Sequence, residues 1–331
     1  MLCRNSQKNT LKQMARILAN DGISAAGKKV MTDAGHEVVT DKIEQEDLIT
    51  RLNEFDGIIV RSATKVRKEL IDASPNTKFI GRAGVGMDNI DVEYARSVGR
   101  EVANTPAASS ASVGELAIAH MFSIARFLQM SNQELPAQGA DGFKALKKSY
   151  SKGKELKGKT LGVIGAGRIG VETMKLGVGL GMKVVATDMN PRDISFDLDL
   201  ASENVSTKVT ATVSYVSMDE LLAQSDFISL HVPFTGKAVI GESQIGQMKD
   251  GAALINCARG GTVDEAALLR ALDSGKIAYA GIDVFEEEPT GNSALLQHRN
   301  TSVTPHIGGS TVEAQDRIGI EMAQKVVDFF N

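Results

Sequence analysis

Short apolar runs alternate with longer amphipathic stretches along most of the chain, and this alternation predicts β-strands separated by α-helices. In the first third, a helix is expected at about Ala25–Ala34, ended by Gly35, and strands are expected at 15–19, 37–40, 57–61, 79–82 and 101–104. Strands that alternate with helices in this way form a parallel sheet. The first third is therefore expected to be one α/β domain.

A second alternation follows a break at Thr105-Pro106. Apolar residues at helical spacing predict a linking helix over Ser112–Leu128, with Ser112 and Glu115 as a capping box. Further strands are expected at 159–164, 183–187, 227–231, 253–257 and 279–283. The segment Ile194–Tyr215 is rich in serine, threonine and aspartate and is an insertion to which we assign no function. The predicted fold class is α/β, with two doubly wound, Rossmann-like parallel sheets.

Composition narrows the function classes. The 331 residues favour two domains, and the net charge of −4 provides no basic field for nucleic acid or an anionic membrane. Cys3 and Cys257 form neither a disulfide framework nor a Cys-x-x-Cys metal or redox motif. No apolar run reaches the roughly 18 residues of a membrane helix, and residues 1–14 lack the apolar segment of a signal peptide. We expect a cytoplasmic protein without metal, nucleic-acid or membrane partners, and a loose extension at 1–14.

A glycine-rich turn follows the apolar strand at 159–164 directly and opens a helix. It reads Gly165-Ala166-Gly167-Arg168-Ile169-Gly170. In this setting the glycines allow a tight turn, a close approach of a pyrophosphate and tight packing of helix on strand. Asp188 ends the next strand, where an acid binds the adenosine ribose and disfavours the extra phosphate of NADP. The pattern predicts an NAD site, the alternative being a plain turn and a strand-ending aspartate.

Gly84-Val85-Gly86 is a second Gly-x-Gly sequence, which follows Arg82 and lacks the third glycine. Its backbone N–H groups could bind a substrate anion, and an ordinary turn between strand and helix is the open alternative.

Three chemically useful side chains follow later strands. Arg259 comes after the strand at 253–257, where its planar guanidinium group can form two parallel hydrogen bonds with a carboxylate. Glu288 and His306 then supply a carboxylate and an imidazole. Hydride transfer between a nicotinamide and a carbonyl needs a cation, an acid/base and a group that orients the base. Taken singly, each has a structural alternative: a helix cap for the arginine, a solvated loop for Glu286–Glu288 and a structural role for the histidine.

Together these features closely resemble the D-isomer-specific 2-hydroxyacid dehydrogenase family, from about Ala15 to the C-terminus. The resemblance is carried by the motifs at 161–170, 256–261, 283–289 and 305–309. It implies that Arg259 binds and polarises the keto acid, that His306 is the general acid/base with Glu288 as partner, and that Asp283 contacts the nicotinamide carboxamide. The other implied NAD-binding residues are Gly165, Gly167, Arg168, Ile169, Gly170, Asp188, His231, Val232, Pro233, Cys257, Ala258, Gly308 and Gly309.

The family resemblance also implies the domain organisation. A discontinuous substrate domain is expected at 15–107 plus 305–331, with the NAD-binding domain at 108–304. The resemblance implies a homodimer, with Ser131–Lys157 in its interface, although Phe143 stands where many relatives have tryptophan. It also implies a short form without a C-terminal regulatory domain.

Within the family, the segments around Arg61, Arg82 and Asn104 look most like those of members that oxidise D-3-phosphoglycerate in serine biosynthesis. The resemblance then implies a substrate site made of Arg61, Ser62, Arg82, Val85, Gly86 and Asn104. Surface salt bridges are the alternative for the two arginines. An unphosphorylated acid such as glyoxylate or hydroxypyruvate stays open as substrate, and so does an NAD(H)-sensing corepressor-like protein.

Overall fold

The computed structural model describes residues 14–202 and 205–331. Two compact units are evident: residues up to Ser109 together with Gly309–Asn331 form unit 1, and Ser110–Gly308 form unit 2. The extension predicted at 1–14 lies outside the described residues, except for Met14.

Unit 1 is built on a five-stranded parallel sheet of order β2-β1-β3-β4-β5. Its strands are β1 Arg16–Ala19, β2 Glu37–Val39, β3 Gly57–Val60, β4 Phe79–Arg82 and β5 Glu101–Asn104. Its helices are α1 Ala25–Asp33, α2 Gln45–Arg51, α3 Lys68–Ala73, α4 Val92–Ser97 and α12 Val312–Phe330. Every residue of β3 is buried, because helices cover both faces of the sheet.

The C-terminal helix α12 belongs to unit 1 because it packs closely against α1. A Cβ atom on Gly27 of α1 would lie 2.5 Å from the Gly319 carbonyl carbon of α12. The two glycines therefore let the helix backbones touch, and Met322, Ala323 and Val326 fill the core beside them.

Unit 2 is built on an eight-stranded sheet of order β13-β12-β11-β10-β6-β7-β9-β8. Its strands are β6 Thr160–Ile164, β7 Lys183–Thr187, β8 Ile194–Ser202, β9 Val205–Tyr215, β10 Phe227–Leu230, β11 Ala252–Asn256, β12 Ile277–Ile282 and β13 Thr301–Val303. Its helices are α5 Ser110–Ala125, α6 Leu128–Ser149, α7 Arg168–Gly179, α8 Met218–Gln224, α9 Glu242–Gln247, α10 Glu265–Ser274 and α11 Ser293–Gln297. All neighbours pair in parallel except β8 with β9. Both sheets confirm the predicted fold class.

The insertion at 194–215 forms the antiparallel hairpin β8–β9, which extends the sheet beyond β7. Ile194 pairs with Val213 and Phe196 with Ala211, and these apolar side chains join the core that includes α7. The period-2 alternation of the segment therefore explains why it adds strands rather than a loop.

Three expectations differ from the structure. The chain enters unit 2 at Ser110, not at 108, and leaves it after Gly308, not after 304. Residues 305–308 stay with unit 2 because Asp283 binds their backbone, as described below. The capping box at Ser112 is wrong: α5 starts at Ser110, so Ser112 lies inside the helix and is buried.

Helices α5 and α6 follow each other with a short break between them. In the described ranges 14–202 and 205–331, no single helix is long and apolar enough to cross a membrane. This pair reaches that length and composition only when joined across a 51° bend.

Candidate active site

The carboxyl edge of the unit 2 sheet gathers most of the predicted residues. Because parallel strands end at the same edge, Gly165, Asp188, His231, Arg259, Asp283 and His306 all follow strand ends there. The strand order reverses at β6, which has β10 on one side and β7 on the other. Ligands of doubly wound sheets bind outside the carboxyl ends of the strands at such a reversal.

The glycine turn after β6 has the shape of a dinucleotide cradle. Gly165 has φ +97°, and a Cβ there would come within 2.6 Å of the His231 carbonyl oxygen. A Cβ on Gly170 would collide with the Gly165 carbonyl oxygen, whereas a Cβ on Gly167 would meet nothing within 4 Å. Gly165 and Gly170 therefore close the turn. Gly167 leaves space at the first turn of α7, whose N-terminus favours phosphate.

Asp188 is tied to this turn. Its Oδ2 accepts a hydrogen bond from the Ala166 N–H at 2.8 Å, and its Oδ1 accepts one from Asn190 at 3.0 Å. Burial alone would raise the pKa of Asp188, but these backbone donors and the charge of Arg192 hold the pKa below its usual value. The acid is therefore ionised at neutral pH, which suits ribose hydroxyls and opposes an additional phosphate.

The residues after β10 and β11 border the same turn. His231 is bonded through Nε2 to Ser229 Oγ at 2.9 Å, while its Nδ1 is buried without a hydrogen bond to any described residue. Burial lowers the pKa of His231 to about 3, so the ring is neutral. Burial, together with the Asp283 carboxylate, raises the pKa of the Cys257 thiol well above its ordinary value. His231 and Cys257 thus form an uncharged surface on which the His231 Nδ1 lacks a hydrogen bond to a described residue, and such a surface fits a cofactor.

The remaining predicted cofactor residues are placed as follows. Arg168 and Ile169 begin α7, and Val232 and Pro233 follow His231 at the surface. Ala258 is buried, and Gly308 donates its N–H to Asp283 Oδ2 at 2.9 Å. Gly309 is the first returning residue of unit 1. With the open cradle at Gly167, the unit 2 set fits NAD, which, when bound, would supply the hydride acceptor.

The turn that carries Arg259 is shaped by Asn256. The buried Asn256 accepts a hydrogen bond from the Ala258 N–H and donates one to the Arg259 carbonyl, both at 3.1 Å. A Cβ on Gly260 would collide with the Phe285 carbonyl oxygen. Glycine therefore lets the Arg259 turn lie directly against the loop that leads to Glu288.

Glu288 and His306 form a direct pair. His306 Nδ1 lies 2.7 Å from Glu288 Oε2, and Glu288 Oε1 accepts the Phe285 N–H at 3.2 Å. Because the carboxylate holds Nδ1, the imidazole Nε2 is left to exchange a proton with a ligand. The two side chains are 43% and 38% exposed, so the pair is open to substrate.

His306 itself has φ +54°, a backbone conformation that side chains other than glycine adopt at a cost. Asp283 maintains it. The Asp283 carbonyl accepts the His306 N–H at 2.8 Å, and the buried Asp283 carboxylate accepts the Ile307 and Gly308 N–H groups at 2.8 and 2.9 Å. Thr304 Oγ1 donates to the same carboxylate at 2.6 Å. The contact of Asp283 with the nicotinamide stays a prediction, and the structure adds a role in shaping the His306 turn.

The carboxyl edge of the unit 1 sheet gathers the predicted substrate residues. Arg61 follows β3, Arg82 pairs with Val60 across β3 and β4, and Asn104 pairs with Arg82 across β4 and β5. Arg82 Nη2 lies 3.3 Å from Ser62 Oγ, and Asn104 Nδ2 donates to the Val85 carbonyl at 2.6 Å. The Arg82 guanidinium lies over Gly84, and Gly86 follows two residues later. The structure thus brings Arg61, Ser62, Arg82, Val85, Gly86 and Asn104 to one edge.

Sequence reasoning missed the residues that hold this edge. Asp21 Oδ2 accepts the Arg61 N–H at 2.6 Å and the Thr64 N–H at 3.1 Å, and Asp21 Oδ1 accepts the Thr64 hydroxyl at 2.6 Å. Asn89 Nδ2 donates to the Arg61 carbonyl at 2.7 Å. The position of Asp21, soon after β1 and before a glycine, was the signal in the sequence that could have identified it.

Across residues 14–202 and 205–331, no cluster of three potential metal ligands is found.

Comparison with protein families matches residues 118–308 to the NAD-binding domain of D-isomer specific 2-hydroxyacid dehydrogenases. The matched range includes the glycine turn, Asp188, Arg259 and the Glu288–His306 pair. The chain belongs to this family. Membership confirms the predicted resemblance and the NAD cofactor, and it identifies the chain as an NAD-dependent D-2-hydroxyacid dehydrogenase.

The relatives of this dehydrogenase differ in length and in substrate. Hydroxypyruvate reductase of Thermotoga maritima is 44% identical over 317 residues, which cover 94% of this chain and 97% of the relative. D-3-phosphoglycerate dehydrogenase of Methanocaldococcus jannaschii is 40% identical over 95% of this chain and only 57% of its own length. The chain therefore spans little more than half of that longer relative.

Solved structures agree with the family. A glyoxylate reductase from Paecilomyes thermophila superimposes with a TM-score of 0.80 at 29% identity, covering 96% of both chains. A D-2-hydroxyisocaproate dehydrogenase gives a TM-score of 0.77 at 29% identity, covering 95% of this chain and 96% of that structure.

Proposed function

We propose that this dehydrogenase oxidises D-3-phosphoglycerate to 3-phosphohydroxypyruvate with NAD, the first step of serine biosynthesis. The arginine-bearing edge of unit 1 is the observation that carries the proposal. A homodimer with Ser131–Lys157 in its interface stays a prediction of the family resemblance, and a cytoplasmic location stays a prediction from the composition.

In the proposed reaction, Arg259 binds the substrate carboxylate with its planar fork and withdraws electron density from the neighbouring carbon. His306 Nε2 accepts the proton of the C2 hydroxyl, while Glu288 keeps Nδ1 engaged and stabilises the imidazolium that forms. The C2 hydrogen leaves as hydride with its electron pair, for which NAD, when bound, would be the acceptor, so the two electrons lost by the alcohol are accounted for. In the reverse direction, His306 returns its proton to the carbonyl oxygen.

The phosphate would bind at the unit 1 edge. Arg61 follows β3 there, the Arg82 guanidinium contacts the Ser62 hydroxyl, and Asn104 donates to the Val85 carbonyl beside them. Arginine is suited to phosphate because its donors match the phosphate oxygens in pairs.

A second candidate is reduction of hydroxypyruvate or glyoxylate. The Thermotoga maritima hydroxypyruvate reductase favours it, because that relative matches this chain over nearly the full length of both. The chemistry at Arg259, Glu288 and His306 would be the same. Only the role of Arg61 and Arg82 would differ.

Substitution of Arg61 separates the two candidates. We expect wild-type protein to have a higher kcat/KM for D-3-phosphoglycerate than for D-glycerate. Because a hydrogen bond to a charged group contributes about 1.5–3 kcal/mol, Arg61→Ala should lower the value for the phosphorylated acid by roughly 10- to 100-fold. The value for glycerate should change little.

Arg67→Ala is the matched control. Arg67 lies later in the same β3–α3 connection as Arg61, but its guanidinium donates to Asp91 at 2.9 Å and to the Asp88 carbonyl at 3.0 Å. This variant should retain the preference for phosphoglycerate. Equal losses for both acids in Arg61→Ala, or a wild-type preference for the unphosphorylated acid, would favour the hydroxypyruvate or glyoxylate reductase.

A further inference from the structure

Unit 2 contains a cavity of about 480 Å³ far from the glycine turn along the strands. The cavity is lined by the first residues of β10 and β11, by Tyr279 near the start of β12 and by Lys159 just before β6. These residues lie at the amino edge of the sheet, whereas Gly165, Arg259 and Asp283 lie at the carboxyl edge. An occupant of this cavity therefore would not overlap the dinucleotide cradle.

The charge in the cavity is positive. Its cationic side chains are Lys152, Lys154, Lys159, Lys249 and Arg299, and its acidic ones are Asp226 and Asp250. Both acids already have cationic partners: Asp226 binds Lys249 at 3.1 Å, and Asp250 binds Lys276 at 2.8 Å. Asp226 also accepts the Thr160 N–H at 2.8 Å. The acids thus leave most of the lysine charge uncompensated.

Lys152, Lys154 and Lys159 carry that surplus. Within the chain that the structure describes, none of the three forms an ion pair at 4 Å or less. Lys152 and Lys154 follow α6, and Lys159 precedes β6, so one short connecting segment directs three cations toward the cavity. Like charges held in one cavity repel, and a multivalent anion between them would relieve that repulsion.

An aromatic wall made of Phe127, Tyr150 and Tyr279 also lines the cavity. Phe127 stacks on Tyr150 with ring centres 5.4 Å apart and forms an edge-to-face contact with Tyr279 at 5.8 Å. Phe127 has φ +57° at the break between α5 and α6, and its ring lines the cavity.

We propose that this cavity binds a phosphate-bearing small molecule with at least two negative charges, at a site separate from NAD. The lysines would bind the phosphate groups, and the aromatic wall would contact the remainder of the ligand. The volume falls within the roughly 300–1,000 Å³ of small-molecule pockets. The proposal depends on neither the identity of the hydroxy acid nor the phosphate edge of unit 1.

Calorimetric titration tests the site with two probes, inorganic tripolyphosphate and ATP, added to the protein saturated with NADH. We expect saturable binding of tripolyphosphate, weakened about tenfold or more in Lys152→Ala/Lys154→Ala because two phosphate partners are lost. Tighter binding of ATP than of tripolyphosphate would identify a ring-bearing ligand, and equal binding a ligand recognised by phosphate alone. Either result supports the site.

Lys147→Ala/Lys148→Ala is the matched control, since it removes the same charge from exposed positions of α6 that do not line the cavity. It should bind tripolyphosphate as the wild type does. Equal weakening in both double variants would show a general charge effect and overturn the proposal. So would binding that is seen without NADH and lost when NADH saturates the protein. An absence of saturable tripolyphosphate binding to the wild type would also overturn it, whether or not the mass measured by light scattering changes in Lys152→Ala/Lys154→Ala.

Discussion

The two units hold their functional loops with the same device. In unit 2 the Asp283 carboxylate accepts two backbone N–H groups and the Thr304 hydroxyl, and it thereby fixes the turn of His306. In unit 1 the Asp21 carboxylate accepts two backbone N–H groups and the Thr64 hydroxyl, and it thereby fixes the loop of Arg61. Each acid follows a strand at the carboxyl edge of its sheet.

What the two acids hold is different. The Asp283 turn presents a proton-transfer group that Glu288 already orients, so the reaction type can be deduced from unit 2 alone. The Asp21 loop presents Arg61, the cation that we propose binds a substrate group remote from the reacting carbon. On this proposal unit 2 determines the chemistry and unit 1 the choice of acid, and the following predictions test that division.

The largest effect is expected for His306→Asn. Loss of the acid/base should lower kcat for every accepted acid by roughly 10²- to 10⁴-fold. The affinity for NADH, measured by fluorescence titration, should change little because the glycine turn and Asp188 are intact. Retained turnover would show that another group transfers the proton.

Asp283→Asn should have the next largest effect. An amide cannot accept all three hydrogen bonds, so the His306 turn loses at least one of them, at a cost of about 1–3 kcal/mol in the free energy of unfolding. We expect kcat to fall for phosphorylated and unphosphorylated acids alike. Denaturant unfolding and steady-state kinetics measure the two losses; a change confined to one acid would contradict the division between the units.

Asp21→Asn is the counterpart in unit 1. Loosening of the Arg61 loop should raise KM for D-3-phosphoglycerate by about tenfold, the equivalent of one hydrogen bond of about 1.4 kcal/mol. The kinetic constants for D-glycerate should stay near the wild-type values. If kcat for glycerate fell as in Asp283→Asn, the two loops would not have separate functions.

The smallest effect concerns a carboxylate that holds neither loop. Hydrogen bonds from Arg67 lower the pKa of Asp91; burial opposes this shift, and the Lys68 N–H adds to it. A lowered folded-state pKa means that Asp91 stabilises the protein above the unfolded value of about 3.9 and ceases to do so as the pH falls through the folded value. Asp91→Ala should therefore be less stable by about 1 kcal/mol at neutral pH, with a difference that vanishes in acid and with unchanged kcat. A difference that persisted below the folded pKa would exclude this origin.

Much of the site could be predicted because strand ends are visible in sequence. The strands at 79–82, 101–104 and 183–187 were predicted with the bounds that the structure has, and each delivers a site residue: Arg82, Asn104 and Asp188. The family motifs supplied the pairing of His306 with Glu288. Apolar periodicity and turn residues are local properties of the sequence, so they can be recognised without any knowledge of packing.

The supporting contacts could not be predicted, because they join residues far apart in the chain. Asp21 binds a loop 40 residues away and Asp283 one 24 residues away, and no local pattern specifies which loop faces which carboxylate. His120 shows the same limit. It lies in the apolar helix α5, yet its ring contacts Ser302 and Thr304 of the His306 segment at 2.9 and 3.1 Å.

The most direct test of the account is the rate of NADH formation, followed by absorbance, with NAD and a panel of D-2-hydroxy acids that includes D-3-phosphoglycerate, D-glycerate and D-lactate. A trap for the keto acid should draw the reaction forward. We predict turnover with D-acids and the highest kcat/KM for D-3-phosphoglycerate. Turnover with unphosphorylated acids alone would contradict the assignment of the unit 1 edge to phosphate, and binding of NADH without any turnover would contradict the assignment of His306 and Arg259 to catalysis.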